Sequence, residues 1–178
     1  ERGVTYVGIA HFGHNQFADS ANPNVTLSPE ESLYDGLSPR GEELVAALNR
    51  AGVMVDVSHL SDDAFWQVIE LSKVPVIASH SSARHFTPGF ERNMSDDMIK
   101  ALAANGGVIM INFGSSFLTD EARRWYEDMD AAREAWLAQN GQDEHSPERR
   151  NFARQYREQN PFPYADMDDV MAHFTHVI

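Results

Sequence analysis

Four short apolar runs, separated by stretches with helical periodicity, constrain the fold of this chain more than any other feature. The runs are rich in β-branched residues and show little alternation, as is typical of strands buried on both faces of a parallel sheet. They are "VTYVGIA" (residues 4–10), "VMVDVS" (53–58), "PVIAS" (75–79) and "GVIMINF" (107–113). The alternation of strand and helix predicts βαβ units and an α/β fold, without distinguishing an open sheet from a barrel.

Capping residues and apolar stripes predict three helices between these strands. Ser38 is the predicted N-cap of the first helix, which Pro39 begins and Gly52 ends. Ser61 and Ser95 are the predicted N-caps of the second and third helices, whose first turns carry acidic residues that complement the helix dipole. The apolar stripes comprise Leu44, Ala47 and Leu48 in the first helix, Phe65, Val68 and Ile69 in the second, and Met98, Ile99 and Leu102 in the third.

Residues 114–165 differ from the rest of the chain in being highly charged. Trp125, Met129, Ala132 and Trp136 recur there at helical spacing. We predict two amphipathic helices, separated by "NGQDEHSP" and ended by "NPFP", which form an insertion packed beside the core or a lid over it. The aromatic stripe is interpreted as a packing surface rather than a ligand site.

Composition limits the class of protein. Acidic residues outnumber basic ones by 27 to 14, and no basic cluster is dense enough to bind a row of phosphates, which argues against a nucleic-acid partner. The absence of cysteine excludes disulfides and thiolate metal sites. No apolar stretch approaches the roughly 20 residues of a membrane-spanning helix. A chain of 178 residues suits one domain with a sizeable core.

Histidines follow the first three predicted strands. His11, His59 and His80 each stand where a strand ends, the last two within Ser-His pairs. Ligands of parallel α/β folds bind beyond the carboxyl ends of the strands, so these side chains are expected to converge. Neutral imidazole is the commonest side-chain metal ligand, and two histidines could hold one Zn²⁺ together with at least one further protein ligand. The pattern predicts a metal site.

Arg92 lies in the loop "GFERNMSDD", between the strand of His80 and the next helix. This loop belongs to the same carboxyl-end face. Because arginine binds carboxylates bidentately, Arg92 is a candidate clamp for an acidic group of a substrate.

Two other patterns suggest different chemistry. "SHSSA" suggests Ser81 as a nucleophile, but the G-x-S-x-G elbow and an acid partner are missing, which argues against this interpretation. "HFTH" places His173 and His176 three residues apart on a predicted helix, where they could hold a metal, although a solvated helix face is favoured.

The segments "YVGIAHFGHNQFADS", "GLSPRGEELVAALNRAGVMVDVSHLSDDAFWQVIELSKVPVIASHSSAR" and "RNMSDDMIKALAANGGVIMINF" resemble, in order and spacing, the central part of the membrane dipeptidase family. This family is also called renal dipeptidase or peptidase family M19. The resemblance runs from Tyr6 to Phe113, and "ADMDDVMAHFTHVI" resembles a later family segment.

The resemblance implies a (β/α)₈ TIM barrel of the metal-dependent hydrolase type, with two zinc ions, that hydrolyses dipeptides and tolerates a C-terminal D-residue. It implies that His59 and His80 bind zinc and that His11 polarises the scissile carbonyl. Arg92, followed by Asn93, matches the arginine that holds the free carboxylate of the substrate. The expected partner is therefore a dipeptide, and a homodimer is an assembly to consider.

The remaining family ligands, a His-x-Asp pair, a bridging Glu and a late Asp, fall outside residues 1–178. We therefore expect this chain to be the central part, about half, of a single catalytic barrel domain, and to be inactive in isolation. Two alternatives stay open. One is a catalytically inactive, family-like barrel that acts as a binding or maturation factor, and the other is a related barrel that acts on cyclic amides. A periplasmic or cell-envelope location is favoured over a cytoplasmic one only because many bacterial relatives carry export signals.

Overall fold

A computed structural model describes residues 3–21, 31–143, 145, 146 and 148–178. Strands alternate with helices up to the fourth strand, and the chain is helical thereafter. The elements in chain order are β1 (Tyr6–Gly8), α1 (Pro39–Ala51), β2 (Met54–Asp56), α2 (Asp62–Leu71), β3 (Ile77–Ser81), α3 (Asp96–Ala104), β4 (Val108–Ile111), α4 (Ser115–Leu118), α5 (Asp120–Asn140), α6 (Arg149–Gln159) and α7 (Met167–Val177).

The four strands form one parallel sheet in the order β1-β2-β3-β4, so each strand pairs with the next one along the chain. Tyr6 lies beside Met54, and Ile77 lies beside both Asp56 and Val108. This arrangement confirms the predicted α/β class. Strands β1, β2 and β4 are shorter than the apolar runs because the chain leaves the ladder before those runs end. Strand β3 instead continues past its run to Ser81 and so includes His80. The residues beyond the strand ends form the loops of the site.

Local capping formed as predicted. The hydroxyls of Ser38, Ser61 and Ser95 each accept a hydrogen bond from a backbone N–H in the first turn of the helix that follows. Gly52 ends α1 in the left-handed conformation, with φ 69°. These three helices pack against the sheet and bury a continuous apolar cluster with it.

The predicted apolar face of α1 was wrong at one position. Ala47 is exposed, whereas Val45 is fully buried. The buried stripe of α1 consists of Gly41, Val45 and Leu48 because the helix approaches the backbone of Phe17 closely. A Cβ at position 41 would lie 2.1 Å from the carbonyl oxygen of Phe17, so only glycine fits there.

One face of the sheet carries exposed apolar side chains. Tyr6, Val108 and Met110 are each about half exposed, with relative accessibilities of 47, 54 and 48%. In a closed β/α barrel the corresponding face is interior and filled by such side chains. The sheet therefore has the two apolar faces predicted from its strands, of which α1, α2 and α3 cover one.

The predicted amphipathic helices correspond to α5 and α6. The Trp125 indole N–H donates to the carbonyl of Asn160, and its ring packs edge-on against Tyr156 and Phe162. The short helix α4 was not predicted. In the part of the chain that the structure describes, no helix combines the length and the apolar character needed to cross a membrane.

The sequence favoured a solvent-exposed helix face for His173, and this prediction was wrong. His173 is fully buried between α7 and the loop after β3. Its Nδ1 accepts a hydrogen bond from the N–H of Ala83 at 3.1 Å, and its Nε2–H donates to the carbonyl of Leu118 at 3.0 Å. Helical periodicity identified the helix but could not show that this polar position faces two backbone groups that need partners.

Candidate active site

The three strand-end histidines converge at one edge of the sheet. Nε2 of His59 lies 2.8 Å from Nε2 of His80, and the ring centroids of His11 and His59 are 4.2 Å apart. One ligand atom from each of the three residues lies within 4.8 Å of those of the other two. Parallel pairing of β1, β2 and β3 produces this cluster because it places their carboxyl ends side by side.

The backbone of His59 adopts an uncommon conformation. Its φ is 72°, in the left-handed region that non-glycine residues seldom occupy. The carbonyl of His59 accepts a hydrogen bond from the N–H of Ala21 at 2.8 Å, which links the site to the loop after β1. A non-glycine residue in this conformation costs about 1–3 kcal/mol, and such residues are characteristic of functional sites. The turn therefore orients the imidazole of His59 in a backbone conformation of higher energy.

The environment keeps His59 and His80 neutral. Burial lowers the pKa of His59 to about 3, and the positive charge of Arg92 and electrostatic interaction with His11 and His80 lower it further. Burial has the largest effect on the pKa of His80 and lowers it, and Arg92 lowers it further. The negative charge of Asp56 acts in the opposite direction and raises this pKa. A neutral imidazole keeps a lone pair available, and this is the form that binds a metal ion.

Asp56 is a buried carboxylate that is linked to His80 through the Ser79 hydroxyl, and sequence reasoning missed it. Its Oδ1 accepts hydrogen bonds from the backbone N–H groups of Ser58 and Ser79, both at 3.0 Å. Its Oδ2 accepts from the Ser79 hydroxyl at 2.5 Å. A charged residue inside the apolar run "VMVDVS" was a visible signal, because a carboxylate is buried only where donors surround it.

Several hydrogen bonds hold the loop after β1, and one of them involves His11. The Ser20 hydroxyl donates to the carbonyl of His11 at 2.5 Å. The neighbouring Asp19 is buried, pairs with His14 at 3.1 Å, and accepts from the backbone N–H groups of Leu33, Tyr34 and Gly36. Burial alone would raise the pKa of Asp19, but these donors and the Ser32 hydroxyl lower it overall. This network fixes the loop that presents His11.

Arg92 is buried against the same cluster. Its Nη2 donates to the carbonyl of His80 at 2.8 Å, and its Nη1 donates to the Ser81 hydroxyl at 3.0 Å. The guanidinium carbon lies 5.4 Å from the centroid of the Phe117 ring, a cation–π distance. Burial lowers the pKa of Arg92 to about 10, and Asp56 opposes that effect. Arg92 is therefore still protonated at neutral pH and adds positive charge to the site.

Asn93 follows Arg92 in the chain, and its side-chain amide is hydrogen-bonded to other residues of the protein. Its Oδ1 accepts from the N–H of Ser82, and its Nδ2 donates to the Thr87 hydroxyl and to the carbonyl of Phe117. Asn93 is fully buried. These bonds hold the loop of Arg92 against β3 and α4, which is the role that the geometry supports for this residue.

A second group of potential ligands lies outside this cluster. His85, Asp96 and His176 offer ligand atoms within 4.8 Å of one another. However, the rings of His85 and His176 are stacked with planes 21° apart, so their in-plane lone pairs do not converge on one point. His176 Nε2 lies 2.8 Å from Asp96 Oδ1. This group fastens α7 to the start of α3.

The histidine cluster suits a zinc-type metal ion. Imidazole nitrogens are preferred zinc ligands, and two of them already face each other in a partly buried environment. His59 and His80 could each offer a nitrogen to one metal ion, and His11 lies at the exposed side of the same space. Ser81, the alternative nucleophile, instead accepts from Arg92 and lies 3.5 Å from the Ser58 hydroxyl.

Comparison with known proteins agrees with this site. Residues 1–178 match the family model described as membrane dipeptidase, peptidase family M19. The chain belongs to the membrane dipeptidase family. The match includes the helical part of the chain as well as the β/α part.

Curated relatives cover only part of the chain. Dipeptidase tcpJ of Claviceps purpurea is 41% identical over 111 residues, which are 62% of this chain and 24% of that protein. Dipeptidase aclJ of Aspergillus oryzae is 41% identical over 112 residues, which are 63% of this chain and 25% of that protein. The matched part of the chain thus spans about a quarter of the length of these dipeptidases.

Solved structures of similar proteins extend the comparison. The probable dipeptidase PvdM from Pseudomonas aeruginosa matches 99% of this chain with a TM-score of 0.78 and 29% identity, over 48% of its own length. A metallopeptidase from Rhodobacter sphaeroides, liganded with a phosphinate mimic of L-Ala-D-Ala, matches 66% of this chain and 33% of its own, with a TM-score of 0.53 and 32% identity. The α/β fold is therefore that of the membrane dipeptidase family, a β/α barrel of which the four strands form about half.

Proposed function

We propose that this chain carries part of the active site of a zinc-dependent dipeptidase. The observation that carries the proposal is the convergence of His11, His59 and His80 at the carboxyl ends of β1, β2 and β3, with the Nε2 atoms of the last two 2.8 Å apart. Membership of the membrane dipeptidase family supports the same reaction.

Each residue of the site has a distinct proposed role. His59 and His80 hold the metal, which when bound supplies a Lewis acid and a nucleophile at neutral pH. His11 is at the exposed side of the cluster, where an imidazole N–H can donate to the oxyanion that develops as the peptide carbonyl is attacked. Arg92 offers positive charge to the carboxylate of a dipeptide.

The state of Arg92 supports that last role. Its Nε is buried without a hydrogen-bond partner among the described residues, while both Nη atoms are used by Ser81 and His80. An unpaired donor of a buried guanidinium is costly unless a ligand satisfies it. A single anchored carboxylate would restrict the substrate to very short peptides. We assign Asn93 to positioning Arg92 rather than to contact with the substrate.

The substrate class rests on the relatives. The Rhodobacter sphaeroides metallopeptidase binds a mimic of L-Ala-D-Ala, and we propose that this chain also serves hydrolysis of dipeptides, including those with a C-terminal D-residue. We further propose two zinc ions per active site, a homodimeric assembly and a periplasmic or cell-envelope location. Residues 114–165 are proposed to be an insertion within one catalytic domain.

The test is a matched pair of substitutions in the intact protein. His59→Asn removes the imidazole and keeps a residue that tolerates the left-handed backbone. We expect this variant to lose zinc and to lose at least about 10³-fold in kcat for L-Ala-D-Ala, since metal activation of the nucleophile disappears. His176→Asn, a histidine of α7 outside the cluster, is the control and should keep both. Zinc per protein molecule by elemental analysis and dipeptide turnover are measured on the same samples.

The outcomes separate the alternatives. Wild-type zinc content and turnover in His59→Asn would overturn the assignment. Zinc retention by the wild type without turnover of any dipeptide would favour the catalytically inactive, binding or maturation factor. Turnover of lactams in preference to dipeptides would favour a barrel that acts on cyclic amides.

A further inference from the structure

Asp56, Ser79 and His80 form a continuous line of hydrogen bonds that ends at the histidine cluster. Asp56 is 4% exposed and accepts three hydrogen bonds, two from backbone N–H groups and one from the Ser79 hydroxyl. The Ser79 hydroxyl also lies 2.5 Å from Nδ1 of His80. We call this arrangement the Asp56–Ser79–His80 relay.

Hydrogen-bond polarity in the relay determines where the His80 proton lies. The three groups around Asp56 are donors, so the carboxylate acts only as an acceptor. The single hydroxyl proton of Ser79 is directed to Asp56, so the hydroxyl oxygen must accept from His80. Nδ1 of His80 must then carry the ring proton, which leaves Nε2 with its lone pair directed at His59.

The backbone of His80 is held as firmly as its ring. Its N–H donates to the Ser58 hydroxyl at 3.0 Å, and its carbonyl accepts from Arg92. His59 provides a contrast, because its Nδ1 is buried without a hydrogen-bond partner among the described residues. The fold thus orients one of the two facing imidazoles through its second nitrogen and leaves the other to its backbone conformation.

We propose that Asp56 and Ser79 are positioning residues that fix the tautomer and orientation of His80 for metal binding. The inference deepens the proposed function and rests on it for the identity of the metal. Histidine ligands generally donate their second N–H to an acceptor, and loss of that acceptor weakens metal binding by about 10–100-fold. Here a serine hydroxyl backed by a buried carboxylate is the acceptor.

Two measurements in the intact protein test the relay. The first is the tautomer of His80 in the zinc-free protein, from long-range ¹H–¹⁵N NMR correlations of the imidazole. The second is zinc affinity, from competition with a chelator. The variants are Ser79→Ala and Asp56→Asn, with Ser79→Thr to restore the hydroxyl. Ser82→Ala is the matched control, because its hydroxyl donates to the carbonyl of Asn112 instead.

The expected result is an Nδ1–H tautomer of His80 in the wild type. Ser79→Ala and Asp56→Asn should lose that preference and bind zinc about 10–100-fold more weakly. Ser79→Thr should restore both properties, and Ser82→Ala should retain them.

The inference is overturned if Ser79→Ala keeps the Nδ1–H tautomer and wild-type zinc affinity, even if the variant unfolds more easily. Such a result would assign Asp56 and Ser79 to joining β2 and β3 alone. A wild type that binds no zinc would instead overturn the proposed function, and an Nε2–H tautomer of His80 in that protein would overturn the relay independently.

Discussion

The β/α region, from β1 to β4, and the helical region, from α4 to α7, are stabilised in different ways. Fully buried aliphatic and aromatic side chains such as Val55, Phe65 and Leu102 fill the space between the sheet and its helices. In α5 and α6, aromatic rings pack at partly exposed positions, and ion pairs such as that of Arg123 with Asp120 lie along the surface. The first region relies on a large, fully buried apolar core, whereas the second combines a few buried side chains, such as Trp125, with many partly exposed contacts.

The difference explains where chemistry can be placed. The sheet holds side chains at its strand ends in fixed positions, and all three clustered histidines lie at or near strand ends. The helical region contributes by bracing loops, because the Phe117 carbonyl accepts from Asn93 and His173 accepts from Ala83. Both braces reach the segment between β3 and α3 that carries Arg92. The two regions are thus a rigid scaffold and a support for one of its loops.

The largest expected effect separates the two kinds of packing. Phe65→Ala should lower the free energy of unfolding by about 3–5 kcal/mol, because a fully buried ring leaves a cavity in the core. Phe152→Ala in α6 should cost about 1 kcal/mol, because that ring is only partly buried. Urea unfolding of the intact protein measures both. Equal losses of unfolding free energy would show that the helical region is packed as well as the β/α region.

A smaller effect tests the bracing of the loop by α7. His173→Leu should cost about 1–3 kcal/mol at neutral pH, because the buried N–H of Ala83 loses its acceptor. His176→Ala should cost less than about 1 kcal/mol, since its pair with Asp96 is partly solvated. Similar small losses in both variants, measured by urea unfolding, would contradict a bracing role for His173.

The pH dependence of the same variant gives an independent check. Burial lowers the pKa of His173 from its ordinary value of 6.5, with the Leu118 carbonyl acting in the opposite direction. Below pH 6.5 the unfolded state binds a proton at this residue that the folded state does not bind. His173 therefore makes the protein less stable as the pH decreases from 6.5 to the pKa of the folded state. The contribution is at most about 1.4 kcal/mol per pH unit. His173→Leu should therefore have a flatter stability profile below pH 6.5 than the wild type.

The smallest effect compares ion pairs of the two regions. Arg84 donates to both carboxylate oxygens of Asp62, at 2.6 and 2.7 Å, and its Nε donates to the Asn93 carbonyl. Arg84→Lys should cost about 1 kcal/mol because a lysine cannot reproduce this fork. Arg124→Lys in α5 should cost less than about 0.5 kcal/mol, since Arg124 is mostly exposed. Thermal unfolding of the two variants side by side would show whether the difference is real.

Much of the β/α region could be predicted because its signals are local. Ser38, Ser61 and Ser95 cap their helices through bonds to residues three positions away, which a sequence shows directly. The position of a histidine at or after the end of each of the first three strands was equally visible, and parallel pairing brings the three together. The buried face of α1 was misjudged at Ala47 because the close contact of Gly41 with Phe17 joins residues distant in sequence.

The sequence by itself determined the α/β class, the boundaries of α1, α2 and α3 and the expectation that three histidines converge, because periodicity, capping and strand ends are properties of neighbouring residues. Only the tertiary structure decided that Asp56 is linked to His80 through Ser79, that the Asn93 amide bonds to other parts of the protein and that His173 is buried. In each case a polar side chain is satisfied by a group from another element. Such pairings depend on how elements pack, since buried donors and acceptors must find partners wherever the fold brings them.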